Sequence, residues 1–296
     1  MQVISNRAGN SFFFGERRFY MAEITDLHPF AGINAELDAS ALALRFGPEV
    51  SVEVEERRKS TELQPLLCDP SHSAIDDTLY TLYRRIAPTP ESREEIVRRG
   101  LVYTALALRP GTIGPQELAR TRGHGNSAAP GTSIAYPEVH EVWHGHGLLY
   151  LQNGTTSEAG RDTVITLLFP GDKAVVAPGW ASLLVNVGET PLVVGSWRSE
   201  DCVLQLEDLA ALGGMAHFIL KGEVAGTWTA KPNARYGTDV QAPRIVASHE
   251  IAAFGLKKEE PMLTAFRRNP DFLRFMLRPQ DYETVWAALY RGTTEA

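Results

Sequence analysis

Cysteine is scarce in this chain. Its 296 residues include only Cys68 and Cys202, which lie far apart in the sequence. Two cysteines cannot build the disulfide framework that stabilises many small secreted domains. The composition therefore excludes a disulfide-dense scaffold and favours a reducing compartment, so we expect a cytoplasmic protein.

Long apolar runs and an excess of basic charge are also missing. No run approaches the length needed to span a membrane, and the N-terminal sequence lacks the basic, apolar and small-residue order of a signal peptide. The formal net charge of −7 argues against nucleic acid as the main partner, because binding a phosphate backbone requires a basic face. Hydrophobic residues make up 44% and charged residues 22%, which is ordinary for a globular protein of one large domain with or without an appendage.

The central part of the chain consists of short apolar segments separated by turn residues. Turn signals such as Pro110-Gly111 and Pro170-Gly171 recur between them at regular spacing. This pattern predicts an all-β sandwich or barrel, jelly roll included, rather than alternating β/α units. We expect EVHEVW and GLLYLQN to form a hairpin closed at residues 144–147. Other predicted strands are residues 77–86, residues 100–109 and the segments DTVITLLF, KAVVAP, SLLVNVG and PLVVGSW.

The flanking regions have a different character. We assign residues 1–38 to an N-terminal segment with a possible interface strand, and residues 39–225 to the barrel. Residues 226–296 follow as a linker and a helical C-terminal extension, because apolar residues recur there at three- and four-residue steps between prolines. Inside the barrel region, PTPESREEIVRRG is either a charged loop or a short helix, and SEDCVLQLEDLAALGGM carries the start and stop signals of a short helix.

Four of the eight histidines fall between residues 120 and 152. Glu138 precedes His140 by two positions, and side chains two apart on a strand point to the same face. A carboxylate among apolar strand residues is costly to bury unless it is paired or metal-bound, which makes Glu138 the strongest functional candidate. His124, from an earlier glycine-rich segment, would complete a site of nitrogen and oxygen ligands. His144 and His146 flank a turn glycine and are expected to be exposed.

Five motifs follow one another between Asp77 and Val194: LYTLY, TALALRPGTIG, RTRGH, PEVHEVWHGHGLLYLQ and PGDKAVVAPGWASLLVNVGETPL. Together they resemble the cupin-type, or archaeal-type, phosphoglucose isomerase family. The resemblance implies a mainly β fold with a cupin barrel, also described as a double-stranded β-helix or jelly roll. It further implies interconversion of glucose 6-phosphate and fructose 6-phosphate, a divalent metal ion (Fe, Mn, Ni or Zn) and a homodimer.

The resemblance also implies residues that bind the substrate. In the family, a threonine and backbone N–H groups just before the first metal-binding histidine hold the phosphate, and Thr121 and Gly123 match them. Arg120 and Arg122 would add positive charge. Tyr80 matches a tyrosine on an early strand.

For the metal, the resemblance implies a site that has diverged. His124 and Glu138 fall on two ligand positions of the family. The second histidine of its first motif falls on Asn126, which offers a carbonyl oxygen, and a late histidine falls on Ser182. His140 replaces the family's usual aromatic residue and adds an imidazole. A rearranged metal site would therefore comprise His124, Glu138 and His140, with Asn126 as a further candidate.

Two functions of different classes follow from these observations. The first is a metal-dependent cupin enzyme, an aldose-ketose isomerase acting on a sugar phosphate or a related polyol, or a diverged relative that acts on another small polar substrate. Moving a proton between adjacent carbons requires a base, an electrophile for the enediolate and an anion pocket, and Glu138 or His140 would be the base. The alternative is a non-catalytic cupin that binds a small molecule and has a degraded metal site.

Overall fold

The computed structural model describes residues 24–71, 76–224, 226–247 and 252–290. Strands form most of its regular structure up to residue 246, and helices follow. The strands are β1 (Ile24–Asp26), β2 (Ala35–Asp38), β3 (Ala43–Phe46), β4 (Val54–Lys59), β5 (Thr78–Arg84), β6 (Leu101–Leu108), β7 (Gly125–Asn126), β8 (Glu138–His144), β9 (Gly147–Asn153), β10 (Thr163–Leu168), β11 (Lys173–Val176), β12 (Trp180–Asn186), β13 (Leu192–Ser199), β14 (Leu204–Gln205), β15 (His217–Lys221), β16 (Trp228–Pro232) and β17 (Arg244–Val246). The α-helices are α1 (His28–Ala31), α2 (Pro90–Arg98), α3 (Glu207–Ala211), α4 (Met262–Arg268), α5 (Arg274–Leu277) and α6 (Glu283–Ala288). The 3₁₀ helices span Ser60–Leu66, Ser157–Arg161, Ala234–Tyr236, Ala252–Phe254, Pro270–Leu273 and Pro279–Tyr282.

Two larger sheets form the body of the protein. One has six strands in the order β11-β8-β13-β6-β5-β4, and the other has four in the order β12-β9-β10-β17. Neighbouring strands run antiparallel except β10 and β17, which are parallel. Side chains from both inner faces, among them Val142, Leu149 and Leu184, share one apolar cluster. The predicted mainly β fold is confirmed, with its two sheets facing each other across this cluster as in a jelly roll.

The chain crosses from one sheet to the other between β8 and β9. β8 pairs with β11 and β13, whereas β9 pairs with β10 and β12. The predicted hairpin between these strands is therefore wrong. Gly145 forms the corner with a φ of 80°, and a Cβ there would come within 2.5 Å of the carbonyl oxygen of Pro191. The sequence was misleading because β8 and β9 are buried along nearly their whole length, and an apolar run does not identify the neighbouring strand.

The outer face of the six-stranded sheet is covered by segments from both ends of the described chain. The small sheet β1-β2-β3 packs there together with the C-terminal helices. The rings of Trp197 on β13 and Phe266 on α4 lie 4.9 Å apart. Because both faces of the sheet are covered, every residue of β6 is buried. The predicted C-terminal helical extension is confirmed as a short helical region, where each fully buried large apolar side chain contributes roughly 1.5–3 kcal/mol.

The helices are short, and α2 begins at a start signal of the sequence. Thr89 caps α2, since its hydroxyl accepts the backbone N–H of Ser92, and Pro90 occupies the first turn. PTPESREEIVRRG is thus a helix rather than a loop. The short helix predicted before Gly213 is α3. None of the helices in the described ranges is long and apolar enough to cross a membrane.

The proposed division at residues 38 and 225 stays a prediction. β2 pairs with β3 on either side of residue 38. Similarly, β17, which lies beyond residue 225, pairs with β10 of the barrel. Residues 1–23 of the N-terminal segment with the possible interface strand lie outside the described residues.

Candidate active site

A cavity of about 270 Å³ lies between the inner faces of the two sheets. Residues from β4, β5, β6, β8 and β13 form one wall, and residues from β12 and the segment 121–124 form the opposite wall. Small-molecule sites usually begin at about 300 Å³. The cavity therefore suits a ligand of the size of a small metabolite.

Glu138 and His140 both face this cavity, as their spacing on β8 predicts. Nε2 of His124 lies 3.1 Å from Oε1 of Glu138. Nε2 of His140 lies 3.6 Å from Oε2 of the same carboxylate. The structure thus brings the three predicted residues together around one buried carboxylate.

His124 reaches the cavity from the opposite wall. It pairs with Ser182 of β12 through two backbone hydrogen bonds of 3.1 and 2.9 Å. This pairing fixes the backbone of the glycine-rich segment against the sheet, so the imidazole points across the cavity towards Glu138. Ser182 itself lines the cavity and offers only a hydroxyl group.

A row of polar side chains runs across the six-stranded sheet at the level of His140. His140 lies opposite Ser196, Ser196 opposite Thr104, and Thr104 opposite Arg84. All four line the cavity. Nδ1 of His140 lies 2.7 Å from Oγ of Ser196. Directly opposed residues on antiparallel strands have neighbouring side chains, so the strand register places this row.

Electrostatics keep both groups on β8 unprotonated at neutral pH. Burial alone would raise the pKa of Glu138, but the charge and hydrogen bond of His124, followed by His140 and Arg198, lower its pKa to about 2. Burial lowers the pKa of His140 to about 4, because the loss of solvation outweighs the attraction of Glu138 for an imidazolium. Glu138 is therefore ionised and His140 neutral at pH 7.

All four predicted substrate-binding residues, Tyr80, Thr121, Arg122 and Gly123, line the same cavity. The Thr121 hydroxyl accepts the backbone N–H of Leu184 at 3.0 Å and keeps its own hydrogen to donate. Gly123 has a φ of 85°, and a Cβ there would lie 3.2 Å from the sulfur of Met215. Glycine is therefore needed where the backbone approaches the ligand space.

Arg120 does not add charge to this part of the cavity. It is 3% exposed, and its Nε donates to Oε1 of Glu117 at 2.7 Å. Its Nη2 donates to the carbonyl oxygen of Leu66 at 2.7 Å. The expected contribution of Arg120 to a phosphate site is wrong, because its guanidinium is buried against Glu117 and Leu66. The side chain of Arg122, in contrast, is exposed and lines the cavity.

Three further arginines that were not predicted from the sequence line the cavity, namely Arg58, Arg84 and Arg198. Arg58 and Arg84 share Glu56, with nearest separations of 2.7 and 3.4 Å. Even with this glutamate included, arginines outnumber the carboxylates at the cavity by four to three, so the site keeps an excess of positive charge. The alternation of side chains along LYTLYR and VVGSWRS was a signal for Arg84 and Arg198. A two-residue period, however, shows only which residues of a strand share a face and not which face lines a cavity.

Asn126 is not brought into the cavity. Its amide donates to the carbonyl oxygen of Tyr136 at 2.9 Å, and its Oδ1 is buried with no hydrogen-bond partner among the described residues. His144 and His146 also lie elsewhere. Nδ1 of His144 is 2.9 Å from the carbonyl oxygen of Pro191, and the ring of His146 lies edge-on to that of Phe169.

The donors around Glu138 suit a divalent metal ion by chemical type. Imidazole nitrogen and carboxylate oxygen suit Fe, Mn, Ni or Zn, and two adjacent ligands bound to one ion at about 2.1 Å are themselves about 3.0–3.4 Å apart. His140 Nε2 is buried and has no hydrogen-bond partner in the described part of the chain, which leaves it free to bind an ion. The three side chains do not converge on one point, since His124 and His140 approach different carboxylate oxygens. Within the described ranges, no group of three or more His, Cys, Asp and Glu residues is arranged to hold a metal.

More than half of this chain is similar in sequence to a known protein family. The model of the family described as "Glucose-6-phosphate isomerase (GPI)" matches residues 57–235, which is more than half of the chain. The chain belongs to the glucose-6-phosphate isomerase family. The matched region of this GPI-family protein contains Tyr80, the segment 121–124, Glu138 and His140, so the candidate site lies entirely within it.

Solved structures similar to this GPI-family chain are distant. Peruvianin-I, a cysteine peptidase from Thevetia peruviana latex, is 18% identical with a TM-score of 0.33, over 46% of this chain and 71% of that one. An oxalate oxidase is 15% identical with a TM-score of 0.31, over 43% and 54%. Bacillus subtilis oxalate decarboxylase, which has Mn(II) centres, is 15% identical with a TM-score of 0.30, over 45% and 30%. The chain thus spans about half the length of the oxalate oxidase and less than a third of the length of the oxalate decarboxylase. No curated protein matches it.

Proposed function

We propose that this GPI-family protein is an aldose-ketose isomerase of the glucose-6-phosphate isomerase type, acting on a sugar phosphate or another small polar anion. The observation that carries the proposal is that Glu138, contacted by two imidazoles, shares one cavity with four arginines. A base beside an anion-binding surface is the combination that enolisation of a phosphorylated sugar requires.

The residues of the cavity can divide the reaction between them. An unprotonated base, Glu138 or His140, would take the proton from the carbon next to the carbonyl group, and the C–H electrons would form the double bond of an enediolate. Arg198, which lowers the pKa of Glu138 by its charge, would stabilise the developing oxyanion. The hydrogen of the neighbouring hydroxyl group must also pass to the oxygen of the former carbonyl group. Return of the carbon-bound proton to the former carbonyl carbon then completes the conversion, so the base regains its starting form.

The phosphate would bind on the side of Thr121, Arg122 and Gly123. Arg122 is exposed and forms no ion pair within the described residues, so its charge is free for a ligand. Tyr80 lies close enough to Arg58 and Arg122 for both to act on the pKa of its phenol, which burial raises. Charge-assisted hydrogen bonds from arginine suit phosphate oxygens.

A divalent metal ion stays part of the proposal. His124, Glu138 and His140 would hold it, and when bound it would polarise the carbonyl oxygen of the substrate. Asn126 contributes only if its Oδ1 turns towards the cavity, and Ser182 replaces an imidazole with a weak ligand. We propose on these grounds that the metal site is diverged from that of the family.

An isomerase assay tests the proposal. The purified protein is supplied with fructose 6-phosphate, and glucose 6-phosphate is detected through a coupled dehydrogenase. We expect turnover by the wild-type protein and its loss in Glu138→Gln. If fructose 6-phosphate binds but is never converted, under any divalent metal, the alternative of a non-catalytic binding cupin replaces this proposal. Assembly as a homodimer is a separate proposal, which light scattering of the purified protein can test.

A further inference from the structure

Ser196 contacts the imidazole that lies deepest in the cavity. His140 is 5% exposed, and its Nδ1 lies 2.7 Å from the Ser196 hydroxyl oxygen. The two residues are 56 positions apart in sequence but directly opposed on β8 and β13. The contact is therefore built into the register of two central strands rather than into a loop.

The geometry around His140 favours one of its two neutral tautomers. A neutral imidazole carries its hydrogen on either Nδ1 or Nε2. If Nε2 carried it, the nearby Glu138 carboxylate would accept it at about 2.8–3.0 Å. Instead Nε2 and Oε2 are 3.6 Å apart, and Nε2 has no hydrogen-bond partner in the part of the chain that the structure describes. This separation is that of two acceptors facing each other, so the hydrogen belongs on Nδ1, where Ser196 accepts it.

The surroundings of Ser196 allow it to act as the acceptor. Thr104 on β6 lies directly opposite Ser196 on the side away from His140. Ser196 itself lines the cavity, so the hydrogen of its hydroxyl can point into that space and need not be donated to the imidazole. Arg84 follows Thr104 in the same row and adds a cation beyond it.

From this arrangement we infer that Ser196 is a positioning residue, which holds His140 in the Nδ1–H tautomer and leaves its Nε2 unprotonated beside the Glu138 carboxylate. The inference rests on the function proposed above. It assigns an orienting partner to His140. In many active sites, a catalytic base is likewise held in place by a further group that hydrogen-bonds to it. Loss of the serine hydroxyl removes the preference for one tautomer without removing the imidazole.

Nitrogen NMR of the full-length protein labelled with ¹⁵N-histidine tests the tautomer directly. The signal of His140 is assigned by its disappearance in His140→Gln. We expect the hydrogen on Nδ1 in the wild-type protein and in Ser196→Thr, which keeps a hydroxyl, and a mixture of tautomers in Ser196→Ala. A hydrogen on Nε2 in the wild-type protein, or an unchanged tautomer in Ser196→Ala, would overturn the inference.

Kinetics with fructose 6-phosphate separate positioning from general damage. We expect kcat to fall about 10- to 100-fold in Ser196→Ala, within the range that a misplaced general base produces, with KM within about twofold and recovery in Ser196→Thr. Ser199→Ala is the matched control, because Ser199 is on the same strand and outside the cavity, where it accepts the N–H of Asp201. An inactive wild-type protein would contradict the proposed function, whereas the NMR result alone would still decide the role of Ser196.

Discussion

Glu138 and Glu141 lie three positions apart on β8 and point to opposite faces of one sheet. Glu138 faces the cavity and contacts His124. Glu141 faces the C-terminal helical region, where it accepts the backbone N–H of Met262 at 2.9 Å and pairs with Lys173 at 3.0 Å. Successive side chains of a strand point to alternate faces, so two residues three positions apart lie on opposite faces. The strand that carries the candidate base therefore also anchors α4.

The buried pair of Glu141 and Lys173 sets the first prediction. Both side chains are at most 3% exposed. We expect Glu141→Ala to lower the free energy of unfolding by about 3–5 kcal/mol, because it leaves a buried cation without its partner. The double variant Glu141→Met with Lys173→Met removes both charges and should recover part of that loss. Urea unfolding measures both, and a double variant less stable than Glu141→Ala would contradict the explanation.

Glu138→Gln provides the second prediction, on metal binding. Protein purified without chelator and then titrated with Mn²⁺ should bind one ion per chain, because His124, Glu138 and His140 are suitable donors. Glu138→Gln removes the anionic ligand, so we expect at least a tenfold weaker affinity. Calorimetry or elemental analysis gives the measurement. The matched control is Glu189→Gln, since Glu189 is exposed and does not line the cavity. Equal binding by all three proteins would refute a metal site at Glu138.

Arg120 and Arg122 provide the third prediction. Replacing the first by alanine should affect the stability of the fold, whereas replacing the second should affect ligand binding. Arg120→Ala leaves Glu117 buried and unpaired, so we expect a loss of about 3–5 kcal/mol in the free energy of unfolding. Arg122→Ala should change that free energy by no more than about 0.5 kcal/mol. It should weaken the binding of fructose 6-phosphate about tenfold or more, the equivalent of one charge-assisted hydrogen bond.

Calorimetry with fructose 6-phosphate and urea unfolding give the two readouts. Arg122→Lys, which keeps the charge, is the control for ligand binding. Unchanged affinity in Arg122→Ala would move the phosphate site away from the segment 121–123.

Acid stability is the fourth prediction. His217 is 3% exposed, its Nδ1 lies 2.9 Å from the phenol oxygen of Tyr150, and burial lowers its pKa from 6.5 to about 4. As the pH falls below about 6.5 the unfolded chain takes up a proton that the folded protein does not, so the free energy of unfolding decreases until the pH reaches about 4. The loss is at most about 3 kcal/mol. The lowered pKa of His140 acts in the same direction.

Urea unfolding at pH 7 and pH 5 measures this effect. His217→Gln should show a smaller loss of stability between these two pH values than the wild-type protein. His146→Gln, at an exposed imidazole, should behave like the wild-type protein. A His217→Gln variant with the full wild-type pH dependence would show that another group is responsible.

The strand pattern made part of the site predictable. Alternation on β8 correctly placed Glu138 and His140 on one face, because two-residue periodicity is a local property of an extended chain. The motif before His124 identified Thr121, Arg122 and Gly123, which all line the cavity. The same reasoning failed for Arg120, since the direction of a side chain in an irregular segment depends on distant partners, here Glu117 and Leu66.

Residues from distant strands were not predictable in the same way. Ser196 lies opposite His140 only because β13 pairs with β8, and Arg84 joins them only through β6. Periodicity specifies the face of a strand but not its neighbour. The crossing at Gly145 illustrates the same point, since β8 and β9 are consecutive in sequence and belong to different sheets.

The amino-acid sequence by itself determined the mainly β class, the helical C-terminal region, the relation to a phosphoglucose isomerase family and the placement of Glu138 beside His140. Each of these depends on composition, local periodicity or a contiguous motif. Only the tertiary structure decided that Ser196, Thr104 and the arginines of β4, β5 and β13 surround that pair, and that Glu141 faces away from it. Strand pairing over long sequence distances and the burial that follows from it are properties of the folded chain as a whole.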